Sequence, residues 1–178
     1  MRPAASSRVW RDDEFRRAGA PALQATSPTQ EVNAIGIGPL AELAGEWELA
    51  VDLPGAEDVR GHVTFEMLGE MIVQRTTVPV PEAPDSCCVV IGAADGSFTQ
   101  HYFDFRGVAR VYAMTFDGRT WTLERSMPDF SPLDFHQRFI GSVTDDGTTI
   151  DGEWQSSTDG QHWTRDLGLT YTRARTVR

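Results

Sequence analysis

Three arginines and two proton-carrying side chains recur at alternating positions in the second half of the chain. Arg110, Arg125 and Arg165 could bind an anionic group, because a guanidinium donates paired hydrogen bonds to a carboxylate. His101 and Tyr112 are the candidate catalytic residues, since both carry a group that can transfer a proton. The set predicts either a binding site for an acid-bearing molecule or a site of proton transfer.

These side chains belong to a chain whose hydrophobic period changes at Gly45. Residues 39–44 have the composition of a short helix that begins near a proline and ends at this glycine. Beyond it, Trp47, Leu49 and Val51 alternate with acidic residues, which is the period of a strand. Ten such segments follow one another, near residues 44–53, 60–67, 70–79, 87–94, 97–105, 108–116, 119–127, 135–145, 148–158 and 161–173.

Short glycine turns separate many of these segments, and Asp-Gly between alternating runs is a strong hairpin signal. They occur at Asp95-Gly96, Asp117-Gly118, Asp146-Gly147 and Asp159-Gly160, with Arg106-Gly107 as a weaker fifth. Successive hairpins bury one face and remove free edges when the sheet closes. We therefore predict an all-β fold: a closed up-and-down antiparallel β-barrel of about ten strands with a short capping helix. The barrel domain spans residues 37–175, and residues 1–36 form a tail that is partly disordered or contains a short helix.

A two-residue turn also fixes the register of its hairpin, and hence which residues share a face. The turns at Arg106-Gly107 and Asp117-Gly118 place on the inner face His101, Phe103, Phe105, Arg110, Tyr112, Met114, Trp121, Leu123 and Arg125. The last two turns add Gln137, Phe139, Val143, Ile150, Trp154, Trp163, Arg165, Leu167, Leu169 and Tyr171, with Trp154 opposite Arg165. One of Gln74 and Arg75 faces inward, and the sequence does not decide which.

The predicted inner face is cationic and the predicted outer face anionic. The acidic residues placed outside are Glu46, Glu48, Glu66, Asp104, Glu124, Glu153 and Asp166. Since a buried guanidinium without a partner is costly, this predicts a cavity for a small amphipathic, acid-bearing hydrophobic molecule, with the protein acting as a carrier or sensor. The predicted ligand-binding residues are Trp47, His101, Phe103, Arg110, Tyr112, Met114, Trp121, Arg125, Gln137, Phe139, Trp154, Trp163, Arg165 and Tyr171.

Three alternatives stay open at this point. An arginine of the inner face could sit at a barrel mouth, or stack on Trp154 or Trp163. The barrel could instead fold a flexible substrate as a cofactor-independent isomerase or cyclase of secondary metabolism, in which His101 and Tyr112 shift a proton. It could also be filled by its own side chains and bind nothing.

Composition narrows the classes of partner. The net charge of -10 and the lack of a basic cluster disfavour nucleic acid and anionic membranes. All 16 basic residues are arginine, which excludes lysine-dependent cofactor chemistry. The adjacent Cys87 and Cys88 are expected as reduced thiols, and the histidines (His62, His101, His136 and His162) lack metal-ligand spacing. Without a secretory h-region or a membrane span we expect a cytoplasmic protein. A homodimer is one option for its assembly, and the sequence does not decide the oligomeric state.

The start and end of the strand series carry a resemblance. Gly45-Glu46-Trp47 and Leu169-Thr170-Tyr171-Thr172-Arg173 resemble the calycin superfamily of lipocalin-like barrels, which implies that Trp47 packs against Arg173 at a closed end. The chain also looks like bacterial DUF1579-type proteins, for which no reaction is established, through Ile91-Gly92, Tyr102-Phe103-Asp104, Arg106-Gly107-Val108, Asp146-Gly147 and Tyr171-Thr172-Arg173. A related nitrobindin-like branch binds haem through a late histidine. Here that histidine is His162, which the predicted register turns outward, so we expect no haem or other cofactor.

Overall fold

The computed structural model of the chain describes residues 38–53, 55–79, 84–93 and 95–175. Within these ranges the chain forms a 3₁₀ helix, Gly38–Leu43, and ten strands. The strands are β1 (Gly45–Leu53), β2 (Ala56–Leu68), β3 (Met71–Thr77), β4 (Ser86–Gly92), β5 (Phe98–Asp104), β6 (Ala109–Phe116), β7 (Thr120–Arg125), β8 (His136–Val143), β9 (Thr149–Ser157) and β10 (Thr164–Arg173). The predicted tail, residues 1–36, lies outside the described residues.

The strands form one closed antiparallel barrel. Each strand pairs with its neighbour in the chain, and β1 completes the ring by pairing with β10. The predicted closed up-and-down barrel of ten strands is therefore confirmed. No helix in the described ranges is both long enough and apolar enough to cross a membrane.

The 3₁₀ helix covers one end of the barrel, as predicted. Its two apolar residues, Leu40 and Leu43, are buried and belong to the same hydrophobic cluster as Trp47. The indole Nε1 of Trp47 donates a hydrogen bond of 2.9 Å to the carbonyl oxygen of Leu43. Because Val63, Phe116 and Ile150 are also buried in this cluster, the helix end of the barrel is a packed hydrophobic core.

The other end is partly covered by residues 126–135, which connect β7 to β8. This connection folds around the side chain of Arg125, the last residue of β7, which is fully buried. The Arg125 guanidinium bonds to Asp129 at 2.8 Å and donates to the carbonyl oxygens of Pro132 and Phe135 at 3.0 Å. Asp129 also accepts the backbone N–H of Val111 at 3.0 Å, so the connection is fastened to the start of β6.

Candidate functional site

A cavity of about 270 Å³ lies inside the barrel. Its apolar wall consists of Leu49, Val51, Val78, Pro84, Trp121, Leu123, Phe139, Trp154, Leu167, Leu169 and Tyr171. Its polar lining consists of Gln74, Thr76, Ser86, Cys88, Gln100 and Tyr102, which come from β3, β4 and β5. None of the described lining residues carries a formal charge at neutral pH, and none is a histidine. The cavity thus has an apolar aromatic wall and an uncharged polar wall.

The aromatic wall is a chain of rings in edge-to-face and tilted contact. The ring centroids of Trp121 and Phe139 are 5.0 Å apart, and those of Phe139 and Trp154 are 5.4 Å apart. Tyr112 continues the chain at 5.3 Å from Trp154. Such contacts add about 0.5–1.5 kcal/mol per pair beyond area burial. They fix the shape of the wall without any ligand.

Two glycines make room for the central ring of this wall. Gly141 on β8 and Gly152 on β9 are partners across the two strands, and the ring of Phe139 lies against both. A Cβ atom added at Gly141 would come within 2.8 Å of the Phe139 ring, and one added at Gly152 would overlap it. The missing side chains therefore let the ring lie close to the sheet, which leaves space in the cavity.

Three polar atoms of the cavity lining are buried and have no hydrogen-bond partner among the described residues. They are Oε1 of Gln74, Oε1 of Gln100 and Nε1 of Trp121. The exposed fractions of these side chains are 7%, 3% and 2%. A buried polar group left unsatisfied costs about 1–3 kcal/mol, and native proteins contain few of them. All three atoms belong to side chains that line this one cavity.

The tyrosine and cysteine side chains in and near the cavity are neutral. The Tyr112 hydroxyl donates to Oε1 of Gln137 at 2.7 Å, and the Tyr102 hydroxyl donates to Asp104 at 3.0 Å. Burial raises the pKa of both tyrosines and of Tyr171 well above the ordinary value. Burial, with Cys87 as a smaller contribution, also raises the pKa of the Cys88 thiol. These groups are neutral at pH 7, so they add no charge to the surroundings of the cavity.

Comparison with known proteins supports the fold. No protein-family model matches the chain, and no curated protein matches it. Among solved structures, the chain is similar to the crystal structure of Rv2717c from M. tuberculosis, with a TM-score of 0.52 and 16% sequence identity over 76% of this chain and 95% of that chain. The chain shares its β-barrel fold with Rv2717c. At this identity the similarity concerns the fold alone, so calycin and DUF1579-type membership stay resemblances.

The structure places half of the predicted ligand-binding residues around the cavity or in the core beside it. Trp121, Phe139, Trp154 and Tyr171 line the cavity, and Tyr112 and Met114 are buried on the same inner face. Gln137 also faces inward, as its hydrogen bond to Tyr112 shows. The predicted facing of these residues is confirmed, and their contact with a ligand stays a prediction.

The predicted facing of His101, Phe103 and Phe105 is wrong. The β5–β6 hairpin pairs Phe103 with Ala109, one position away from the predicted partner, Arg110. Because neighbouring side chains of a strand point to opposite faces, this shift turns the whole of β5 over. Phe103 and Phe105 are 41% and 71% exposed, and His101 lies on the outer face.

The loop between the two strands causes this shift. It has three residues, Phe105 to Gly107, rather than two, and Gly107 adopts a φ of 80°. Asp104 holds the loop by accepting the backbone N–H groups of Arg106 and Val108 at 2.9 and 3.1 Å. Burial disfavours its charge, yet hydrogen bonds from Arg106, Val108 and Tyr102 keep the pKa of Asp104 below its ordinary value. Asp104 lies two residues after Tyr102 on the same strand and therefore on the same, inner face. The prediction that Asp104 faces outward is wrong.

The one-residue shift of the β5–β6 hairpin also places on the inner face two residues that were not predicted there. Gln100 and Tyr102 line the cavity in place of His101 and Phe103. Cys88 was also missed, and Gln74 was left undecided against Arg75, which is exposed and pairs with Glu66. Asp104 is the residue from which the longer loop could have been predicted. An aspartate before Phe-Arg-Gly can accept hydrogen bonds from the loop backbone, which favours a loop of three residues over one of two.

Arg165 and Trp163 are also on the outer face, against the prediction. A bulge between Arg165 and Leu167 sets Trp154 opposite Leu167 and turns Arg165 outward. Arg165 is exposed and pairs with Asp52 at 2.6 Å and with Glu153 at 3.4 Å. Trp163 packs under the guanidinium of Arg138, 4.1 Å from the ring centroid, so the stacking alternative applies to a different arginine.

The predicted cationic interior is therefore wrong. Arg125 is buried but bound to Asp129, and Arg110 donates to Ser131 Oγ at 3.0 Å and to the carbonyl oxygen of Ala109 at 2.8 Å. Neither lines the cavity. Trp47 does not line it either, because it is packed at the helix end beneath Arg173. The described residues in contact with the cavity are all neutral.

Candidate sites of other kinds are limited in the described chain. No group of three or more histidine, cysteine, aspartate or glutamate side chains could hold a metal ion within residues 38–53, 55–79, 84–93 and 95–175. His162 lies on an exposed turn, where its Nδ1 bonds to Asp159 at 2.7 Å, and this agrees with the outward facing expected for it. The interior cavity is the best supported candidate site.

Proposed function

We propose that this barrel binds a small, uncharged, mostly apolar molecule inside its cavity, as a carrier or a sensor. The observation that carries the proposal is a cavity of about 270 Å³ with a preformed aromatic wall and no formal charge among its described lining residues. A dry apolar cavity of roughly 150 Å³ accommodates benzene, so this cavity suits a molecule of roughly eleven non-hydrogen atoms. A bicyclic aromatic compound has this size.

The neutral lining favours an uncharged ligand over the acid-bearing one expected from the sequence. A carboxylate that enters an apolar cavity loses its hydration, and without a cationic partner this cost is not recovered. Arg125 bonds to Asp129 and Arg110 bonds to Ser131. Arg165, on the outer face, bonds to Asp52. A carboxylate would therefore have to compete for arginines that are outside the cavity and already paired.

Binding is also favoured over the isomerase or cyclase alternative. That alternative needs a base inside the barrel, and its candidate, His101, lies on the outer face of β5. The second candidate, Tyr112, uses its hydroxyl to donate to Gln137, and burial raises its pKa. The described residues that line the cavity can therefore hold and orient a molecule, and none of them is a proton acceptor near neutral pH.

Two probes of the same shape and different charge test the proposal. We expect naphthamide to raise the melting temperature and to bind by calorimetry, and naphthoate to bind at least about tenfold more weakly, because only the second must bury a charge. Tighter binding of naphthoate would restore the acid-bearing ligand, and binding of neither probe would count against the proposed function.

A pair of neighbouring variants locates the binding. Leu169→Trp fills the cavity, because Leu169 lines it, whereas Thr170 is the next residue of β10 and faces the other way. We expect Leu169→Trp to abolish naphthamide binding and Thr170→Trp to preserve it. Equal binding by both variants would place the probe outside the barrel.

A further inference from the structure

We propose that part of the cavity is a hydrogen-bonding subsite for a neutral group that both donates and accepts, such as a carboxamide, a lactam or a ring N–H beside a carbonyl. Gln74, Gln100 and Trp121 bind this group. The inference rests on the proposed binding function and adds the chemical class of the ligand. It is carried by the unpartnered polar atoms of these three buried side chains.

Gln74 uses one end of its amide and leaves the other end free. Its Nε2 donates to Thr76 Oγ1 at 3.2 Å, while Oε1 is buried without a partner among the described residues. Exchange of the amide O and N would give Thr76 the oxygen and free the nitrogen. In either orientation one polar atom of Gln74 faces the cavity and is left for a ligand.

Gln100 lies two strands away on β5, beyond Cys88 and Val90 of β4. Its partner across the β5–β6 ladder is Tyr112, whose hydroxyl is occupied by Gln137. The Oε1 atom of Gln100 is buried and has no partner in the described part of the chain. The hydroxyl of its cross-strand partner therefore does not satisfy this amide.

Trp121 supplies a hydrogen-bond donor, and it shares a neighbour, Phe65, with Gln74. Phe65 is the cross-strand partner of Gln74, and its ring centroid is 6.0 Å from that of Trp121. The indole Nε1 of Trp121 is buried without a partner among the described residues. Gln74 and Trp121 thus share Phe65 as a neighbour, and both line the cavity with Gln100.

The three side chains select for a particular ligand chemistry. An amide oxygen needs a donor, the indole N–H needs an acceptor, and each glutamine amide also carries N–H groups. A group with both functions satisfies the set, whereas a hydrocarbon leaves buried polar atoms unpaired. A site of this kind discriminates strongly against an analogue that lacks the hydrogen-bonding group.

A matched series of probes tests the subsite. Methylnaphthalene, naphthol and naphthamide share the bicyclic ring and differ in hydrogen-bonding groups, and their dissociation constants are measured on the full chain. We expect naphthol and naphthamide to bind at least about tenfold more tightly than methylnaphthalene. Gln100→Leu should reduce this preference to less than about threefold without weakening methylnaphthalene binding, and Gln161→Leu, at an exposed glutamine, should preserve it.

The outcomes separate this inference from the proposed function. If all three probes bind equally, the polar atoms are satisfied by water alone and the subsite is rejected, while the binding function stands. Binding of no probe overturns both. If Gln100→Leu does not fold, Gln74→Leu and Trp121→Phe remove one group each, and an unchanged preference for naphthamide in these variants also rejects the subsite.

Discussion

The guanidinium of Arg173, near the end of the last strand, lies over the ring of Trp47 in the first strand, 4.2 Å from its centroid. The same side chain donates to the carbonyl oxygens of Glu42 at 2.6 Å, Ala44 at 2.9 Å and Gly147 at 3.3 Å. One arginine thus joins the 3₁₀ helix, the closing strand pair and the β8–β9 turn. The predicted Trp47–Arg173 contact is confirmed.

Replacing Arg173 with alanine should destabilise the barrel by about 2–4 kcal/mol, because a cation–π contact and charged hydrogen bonds are lost together. Arg173→Lys should recover only part of this, since an ammonium lacks the planar fork. Urea denaturation measures both. Arg175→Ala, at an exposed arginine two residues later, is the matched control. A loss as large in the control would show that net charge, not this contact, matters.

The ion pair of Arg125 and Asp129 should make stability depend on acid pH. Hydrogen bonds from Arg125 hold the pKa of Asp129 well below its ordinary value of about 4. Since the folded pKa is the lower one, the pair stabilises the fold above about pH 4, and this stabilisation is lost as the pH falls towards the folded pKa. Asp129→Asn should cost about 3 kcal/mol at pH 7 and progressively less below pH 4.

Chemical denaturation from pH 3 to pH 7 measures the difference in the free energy of unfolding between the wild type and Asp129→Asn. Asp145→Asn is the control, because Asp145 pairs with Arg119 on an exposed surface and its loss should change stability little. A constant difference between the wild type and Asp129→Asn across this range would contradict the assigned pKa.

The sequence was sufficient for the facing of strands whose hairpin register was predicted correctly or differed by an even number of residues. The β8–β9 hairpin pairs Phe139 with Trp154, which puts both on the inner face as predicted. At Asp117-Gly118 the register differs from the expected one by two positions, and Phe116 pairs with Trp121. A register shift of two residues keeps every side chain on the same face, so the predicted facing of β6 and β7 is correct although the predicted pairing is not.

The charge of the cavity could not be predicted, because it depended on two odd shifts. The loop after Asp104 has one residue more than expected, and the bulge before Leu167 adds one to β10. The longer loop turned His101 to the outer face of the barrel, and the bulge turned Arg165 to the outer face. The bulge has no Asp-Gly signal of its own, and the pairing of Arg165 with Asp52 joins residues 113 positions apart. Alternation within a strand cannot reveal such contacts.

The two cysteines should differ sharply in reactivity. Cys88 is buried in the cavity wall with a raised pKa, so the nucleophilic thiolate is rare, while Cys87 is only partly buried on the opposite face. A thiol reagent at pH 8 should modify one cysteine in the native protein and two in urea. Native labelling should nearly vanish in Cys87→Ser. Rapid native labelling of that variant would show that Cys88 is accessible.

The glycines beneath Phe139 should control the size of the cavity. In Gly152→Ala the new methyl group overlaps the Phe139 ring, which must move towards the cavity. We expect a loss of about 1–3 kcal/mol in stability, and roughly tenfold weaker naphthamide binding by calorimetry. Adding Phe139→Leu should restore binding, because the smaller side chain accommodates the methyl group. Gly38→Ala, where the new Cβ contacts nothing within 4 Å, is the control. Full naphthamide affinity in Gly152→Ala would show that the ring does not border the bound molecule.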